Sequence, residues 1–214
     1  MIVFGNSISP FVRKVTAYCT EKGIEFELKA GGMGRGGPEF AAASPFGKMP
    51  AMSDGDFTLA DSSAILHYLE AKHPEPNLIP TDPQARGRAV WFDEFADTIF
   101  TACGTKMFFN RFVAPKVLKR DGDMLIADAA ERDELPPLLD YLETQVQASG
   151  FLVEDRLTIA DIAVASPFVN LQHVDVALDA ARHPKTAAYV KAILARPSFA
   201  RQIEMETRMV AAMA

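Results

Sequence analysis

The chain has 214 residues, enough for one large domain or two modest ones with a real hydrophobic core. It is 49% hydrophobic and 23% charged, with a net charge of −6 at pH 7, so nothing draws the molecule as a whole to phosphate backbones or anionic lipid. No apolar run reaches the roughly 20 residues that span a bilayer, and MIVFGNS lacks the basic and apolar segments of a signal peptide. The expectation is a soluble cytoplasmic protein with no nucleic-acid or membrane partner.

Along the chain, Ile2-Val3-Phe4 reads as a short buried strand. Residues 11–22 follow as a helix, with Val12, Val15, Thr16 and Cys19 on one face and Gly23 as its stop. Ser9 suits the N-cap of that helix and Pro10 its first position. Residues 24–29 read as a second strand that closes a right-handed βαβ unit. Segments 51–53 and 57–60 flank the turn Asp54-Gly55-Asp56 as a β-hairpin. Asp61-Ser62-Ser63 then starts a helix with Ile65, Leu66 and Leu69 inward, ending near Lys72 before Pro74. The stretch HPEPNLIPTDPQ (73–84), with four prolines, reads as a connector. Beyond it, 84–119, 125–149, 157–178, 184–196 and 198–212 all carry helical periodicity. The layout expected is a sheet-containing domain over 1–76, a linker over 77–84 and an all-helical domain over 85–214.

Gly32-Met33-Gly34-Arg35-Gly36-Gly37 matches the glycine spacing of a dinucleotide loop. Such a site needs a full helix at the third glycine to receive the pyrophosphate, and Ser44-Pro45 cuts this one after about two turns. The nucleotide reading is rejected in favour of a mobile glycine-rich loop. Cys19 and Cys103 are far apart, and His67, His73, His173 and His183 show no ligand spacing, so neither a disulfide framework nor a metal site is expected. Cys19 shares the apolar helix face and reads as core.

Three short segments carry the chemistry. Ser9-Pro10-Phe11 places a hydroxyl at a helix start. In Lys48-Met49-Pro50 a proline directly before a strand suggests a cis bond, which would leave the Met49 backbone free to pair with an extended peptide. Asp61-Ser62 offers hydroxyl and N–H donors for a carboxylate and an acid for an ammonium, a mix suited to an amino-acid head group. Each segment alone is satisfied by plain capping or an ordinary loop.

In this order and spacing they resemble the cytosolic glutathione transferases of the bacterial, serine-type kind, over essentially the whole chain. Ser9-Pro10-Phe11 resembles the Cys-Pro-aromatic turn of glutaredoxin-like relatives, with serine in the nucleophile's place. Lys48-Met49-Pro50 resembles the family's segment ending in a cis-proline. Asp61-Ser62 resembles the signature that holds the γ-glutamyl group, with aspartate for the commoner glutamate. Thr158-Ile159-Ala160-Asp161 resembles the N-capping box of the helical domain. No tyrosine sits near the first turn, so a tyrosine-type mechanism is set aside.

The resemblance implies an α/β thioredoxin-like N-terminal domain, a separate all-α helical-bundle C-terminal domain, a homodimer, and glutathione as co-substrate without a metal. It implies Ser9 beside the thiol, with Asn6 and Ser7 as nearby alternatives. The Met49 backbone, before Pro50, would meet the cysteinyl unit, and Asp61 with Ser62 the γ-glutamyl end. Lys48 would meet the glycine carboxylate, with Arg35 as a second candidate. A pocket for a hydrophobic electrophile would draw on Ile8, Phe11, Phe108, Arg111 and Phe112, with Arg111 either holding an anionic substrate group or lying at the surface. The apolar tail (Met205, Met209, Val210, Met213) would cover it as a lid. A glutathione-dependent isomerase, dehalogenase or ether-cleaving lyase would use the same first domain. Outside that class stand a non-catalytic interaction module and a carrier of hydrophobic ligands.

Overall fold

The computed structural model describes residues 1–32 and 34–213; Met33, in the glycine-rich stretch, and Ala214 lie outside the described residues. The first domain is built on a four-stranded mixed sheet of order β2-β1-β3-β4. Its strands are β1 (Ile2–Phe4), β2 (Glu27–Lys29), β3 (Ala51–Asp54) and β4 (Phe57–Ala60). β2 runs parallel to β1, and β3 pairs antiparallel with both β1 and β4. Val3 faces Met52 across the sheet and Phe4 faces Ala51. Because side chains alternate along a strand, Val3 and Met52 enter the main core beside α1 (Pro10–Glu21) and α3 (Ser62–Lys72). Phe4 and Ala51 instead meet Phe40 of α2 (Gly37–Ala43) on the other face.

The second strand is shorter than its apolar pattern suggests. Gly23, at φ 68°, ends α1, with its N–H on Thr20 O and that of Ile24 on Cys19 O. This paired 5→2 and 6→1 closure needs the left-handed residue. It consumes the start of the apolar run before the ladder begins at Glu27.

The proline-rich connector is not a loose spacer. Leu78 and Ile79 are buried, and the Leu78 carbonyl accepts from Ile159 N at 2.9 Å. Glu70 of α3 holds the strap with one carboxylate oxygen, which accepts from the N–H groups of Leu78 (3.0 Å) and Ile79 (3.2 Å) and from Asn77 Nδ2 (2.8 Å). Its other oxygen takes Lys22 Nζ at 2.6 Å and the Tyr18 hydroxyl.

Residues 83–117 form one long rod: α4 (Pro83–Glu94), a π-helical segment Phe95–Phe100, α5 (Thr101–Phe108) and a second π-helical segment Phe109–Val117. Pro115, which has no N–H to donate, sits in the second of these. After it come α6 (Met124–Ala129), which continues through a π-helical segment into α7 (Leu135–Gln145), then α8 (Ile159–Gln172), α9 (Pro184–Leu194) and α10 (Pro197–Ala211). Every residue of α8 from Ile159 to Leu171 is buried, as fits a helix that is apolar around most of its circumference, with Asp161, Ser166 and Asn170 each hydrogen-bonded. It packs against α1, α4, α5 and α9 and joins the two domains. A capping box of Thr158 and Asp161 starts it, the Asp161 carboxylate accepting from Thr158 N at 2.9 Å.

Candidate active site

The chain turns from β1 into α1 over residues 5–9. A Cβ on Gly5 would lie 2.3 Å from Val12 Cγ2, so only glycine lets the strand end this close to the helix. Asn6 closes the turn, its Oδ1 accepting from Ile8 N at 3.1 Å and its carbonyl from Ser9 N at 3.0 Å. Ser9 occupies the N-cap of α1 with extended dihedrals (φ −74°, ψ 126°), yet its hydroxyl makes no capping bond. Asp61, Asp82 and Asp123 do cap their helices with side chains. The Ser9 side chain instead lines a cavity of about 460 Å³ between the domains.

A second cavity of about 340 Å³ adjoins the first; Ile8, Gly32, Met49 and Val113 line both, so the two are arms of one cleft. The larger arm collects Ile8, Ser9, Phe11, Lys48, Met49 and Phe108. The smaller collects Asn6, Arg35, Phe112, Met209 and Met213. Phe108 and Phe112 stack with ring centres 5.1 Å apart and send one ring to each arm. The loop that presents Lys48 is closed by Ser44 Oγ donating to the Lys48 carbonyl at 2.6 Å. The Met49–Pro50 bond is cis, Pro50 is buried, and no backbone hydrogen bond among the described residues engages Met49.

Residues 3–77 match the family model described as glutathione S-transferase, N-terminal domain, and residues 116–204 that of the C-terminal domain. A glutathione S-transferase of Hyoscyamus muticus is 30% identical over 210 residues, spanning 95% of this chain and 98% of the relative. The chain belongs to the glutathione S-transferase family. A glutathione S-transferase III solved in apo form is 29% identical and superposes with a TM-score of 0.81 over 95% of each chain. A Methylobacterium radiotolerans glutathione S-transferase, solved in complex with glutathione sulfonate, is 28% identical with a TM-score of 0.76 over 94% of this chain and 93% of that one.

Asp61 starts α3 at φ 82°, a conformation that costs a non-glycine residue about 1–3 kcal/mol and is found where a site demands it. Its carboxylate accepts from Ala64 N, and neither Asp61 nor Ser62 lines the two cavities. The Ser62 and Ser63 hydroxyls donate to Asp97 Oδ2 at 3.2 and 3.3 Å, and Lys14 Nζ reaches Asp97 (2.6 Å), Asp93 (2.7 Å) and Ser63 (3.1 Å). Burial works against the charge on Lys14, but the two carboxylates outweigh it and hold its pKa above the ordinary lysine value. Burial, with Asp93 close by, lifts Asp97 above the usual carboxylate range despite the pull of Lys14.

Arg111 is not part of the cleft. Its guanidinium binds Asp128 at 2.8 Å and Glu131 at 2.5 Å and lines neither arm, so the anion-holding role considered for it gives way to a surface ion-pair role. Ser7 lines a different groove with Thr16, Thr20 and Met205, and Val210 lines neither arm. The glycine-rich stretch leads into a helix of only seven residues, too short for the dinucleotide geometry. Burial pushes the thiols of Cys19 and Cys103 up to about 12 and about 11, which makes both poor nucleophiles at neutral pH. Sequence reasoning missed Arg13, Lys14, Asp93, Asp97, Asn170 and Glu206. The available signal was Arg13-Lys14 itself, two charges inside a helix whose residues Val12 to Cys19 are all buried.

Proposed function

We propose that this chain binds glutathione along the cleft, stabilises its thiolate with Ser9 and directs it at a hydrophobic electrophile held against the helical domain. The observation that carries the reading is Ser9, which lines the cleft at the start of α1 with its hydroxyl uncommitted to its own helix. A free thiol has a pKa of about 8.5, so only a few per cent is ionised at pH 7. A charge-assisted hydrogen bond is worth roughly 1.5–3 kcal/mol, or about one to two pKa units, and the partial positive charge of a helix start adds to it. The bound thiol then loses its proton to solvent, and the sulfur lone pair forms the S–C bond as the electrophile's leaving group departs with its electrons. Serine takes no covalent part, so the chemistry is transfer rather than disulfide exchange.

Residues 1–76 form the glutathione-binding unit, 77–84 the strap, and 85–214 the wall of the electrophile site. The uncommitted Met49 backbone pairs with the cysteinyl unit beside cis-Pro50. Lys48 meets the glycine carboxylate, with Arg35 as the other cation on the cleft. Asp61 and Ser62 receive the γ-glutamyl end. Ile8, Phe11, Phe108 and Phe112 with Met209 and Met213 form the apolar side. The relative solved with glutathione sulfonate supports the ligand class. We place the protein in the cytoplasm as a homodimer; no helix among the described residues is long and apolar enough to cross a membrane. Passage over immobilised glutathione, followed by an assay with an aryl halide, tests the reading. Retention with saturable conjugate formation is expected, and a protein that flows through and forms no conjugate refutes it.

A further inference from the structure

Arg13 lies one helical turn beyond Ser9 and is fully buried, yet the thiol chemistry above does not use it. Its five N–H donors all meet oxygen. Nε and Nη2 grip the two carboxylate oxygens of Glu206 on α10 at 3.1 and 2.5 Å. Nη1 donates to the Ser166 carbonyl at 2.7 Å and to Asn170 Oδ1 at 2.9 Å on α8, and Nη2 reaches the Ile8 carbonyl at 3.5 Å. Asn170 Nδ2 also donates to the Ile8 carbonyl at 2.8 Å, and Ser166 Oγ to the Pro10 carbonyl at 2.6 Å. The two peptide carbonyls that flank Ser9 therefore accept from the side chains of Asn170 and Ser166, the same two α8 residues whose oxygens accept from Arg13.

At the other end of the pair, Glu206 is fully buried, with His173 Nε2 at 3.2 Å as its remaining partner. Three residues later on the same helix Met209 lines the smaller arm of the cleft, and Met213, just past the end of α10, lines it too. We infer that Arg13 and Glu206 are positioning residues for the reaction, a single buried contact that keeps the thiol-facing turn at Ser9 in register with the methionine wall of the electrophile arm. This rests on the function proposed above.

Stability alone does not call for this pair. A buried ion pair is often matched or bettered by apolar residues of similar volume. What a guanidinium adds is a planar fork that bonds a carboxylate in two places while its other edge bonds carbonyls. The rest of α10 is anchored independently: Glu21 accepts from Arg196 and Ser198, and the Thr16 hydroxyl donates to Gln202 Oε1. Loss of the Glu206 contact therefore frees the distal turns over the cleft and leaves the helix docked.

The test compares the wild type with Glu206→Gln, Arg13→Lys and the double variant. It reads the ultraviolet absorbance of bound glutathione thiolate against pH, the KM for an aryl halide, and Tm. Each single variant is expected to raise the bound thiol's apparent pKa by about one unit, a roughly tenfold loss of thiolate below it, and to raise the electrophile KM several-fold. The double variant is expected to be no worse than the worse single, because the two groups act as one unit. Variants that lose Tm but keep the wild-type thiol pKa and KM overturn the positioning role. If Arg13→Lys does not fold, the nearly isosteric Glu206→Gln decides alone. A wild type that shows no thiolate with added glutathione sinks the glutathione reading and this inference with it, whereas a normal wild type with unchanged variants sinks this inference only.

Discussion

Ser9 lines the cleft with a hydroxyl that makes no capping bond, beside N–H groups at the start of α1 that carry partial positive charge. Ser9→Ala should therefore separate chemistry from folding. A working N-cap costs about 1 kcal/mol when replaced by alanine, but Ser9 makes no capping bond, so Tm should barely move. The bound thiol's pKa should rise by about one to two units, with kcat/KM for conjugation at neutral pH falling roughly 10- to 100-fold. An unchanged pH–rate profile would transfer the role to Asn6, which also lines the cleft. At this scale the sequence was legible wherever meaning is local. Ser9-Pro10 and Met49-Pro50 declare themselves within a few residues, and the bond at Pro50 is cis. The charges of Arg13 and Lys14 are settled by partners on other helices, Glu206 and Asp97, which no local pattern names.

At the scale of the element, periodicity and capping residues found the helices and several of their ends, among them the Ser9 start and Gly23 stop of α1 and the Thr158–Asp161 box of α8. Helical periodicity was read over 84–119 and the helical rod spans 83–117, but its two π-helical segments, the second of which holds the donorless Pro115, are not encoded in a 3.6-residue pattern. The connector read as a linker because proline breaks helices; that its Leu78 and Ile79 are core shows only when α3 and α8 are placed around them. Glu70 is the test of that strap. Glu70→Ala removes the acceptor for two buried N–H groups, Asn77, Tyr18 and Lys22 at once, and should cost about 3–5 kcal/mol in a urea titration at pH 7. Burial acts to raise the Glu70 pKa, but the bonds from Lys22, Tyr18 and Ile79 overcome it and hold it below the ordinary glutamate value of 4.5. A depressed folded pKa means stability that is present above the unfolded value and is lost as pH falls through the folded one. The gap between wild type and variant should thus narrow below about pH 4.5. A gap that stays constant down to acid denaturation would assign the loss to packing instead.

For the whole molecule, two domains joined along α1 and α8 bury their shared face and leave the cleft at its edge, and some large apolar groups remain in water. Phe46, at the loop that carries Lys48, is 90% exposed, and Phe57 of β4 and Trp91 of α4 are 46% and 47% exposed. The two-domain order was legible because a change of period marks it, whereas a surface facing another copy leaves no period in the sequence. A lone phenylalanine this exposed is explained if a partner covers it, and in a two-fold homodimer each residue is buried twice. Full burial of one phenylalanine is worth roughly 1.5–3 kcal/mol, so Phe46→Ser in both copies should weaken a dimer by about 3–6 kcal/mol, roughly 100-fold or more in Kd. Sedimentation equilibrium should then find the wild type at twice its 23.4 kDa chain mass at micromolar concentration and the variant shifted toward the monomer. Leu125, 83% exposed on α6, is the control. If Leu125→Ser dissociates the dimer and Phe46→Ser does not, the interface belongs to the helical domain. If the wild type sediments as a monomer, the exposed rings need another explanation and the active site is built by one chain alone.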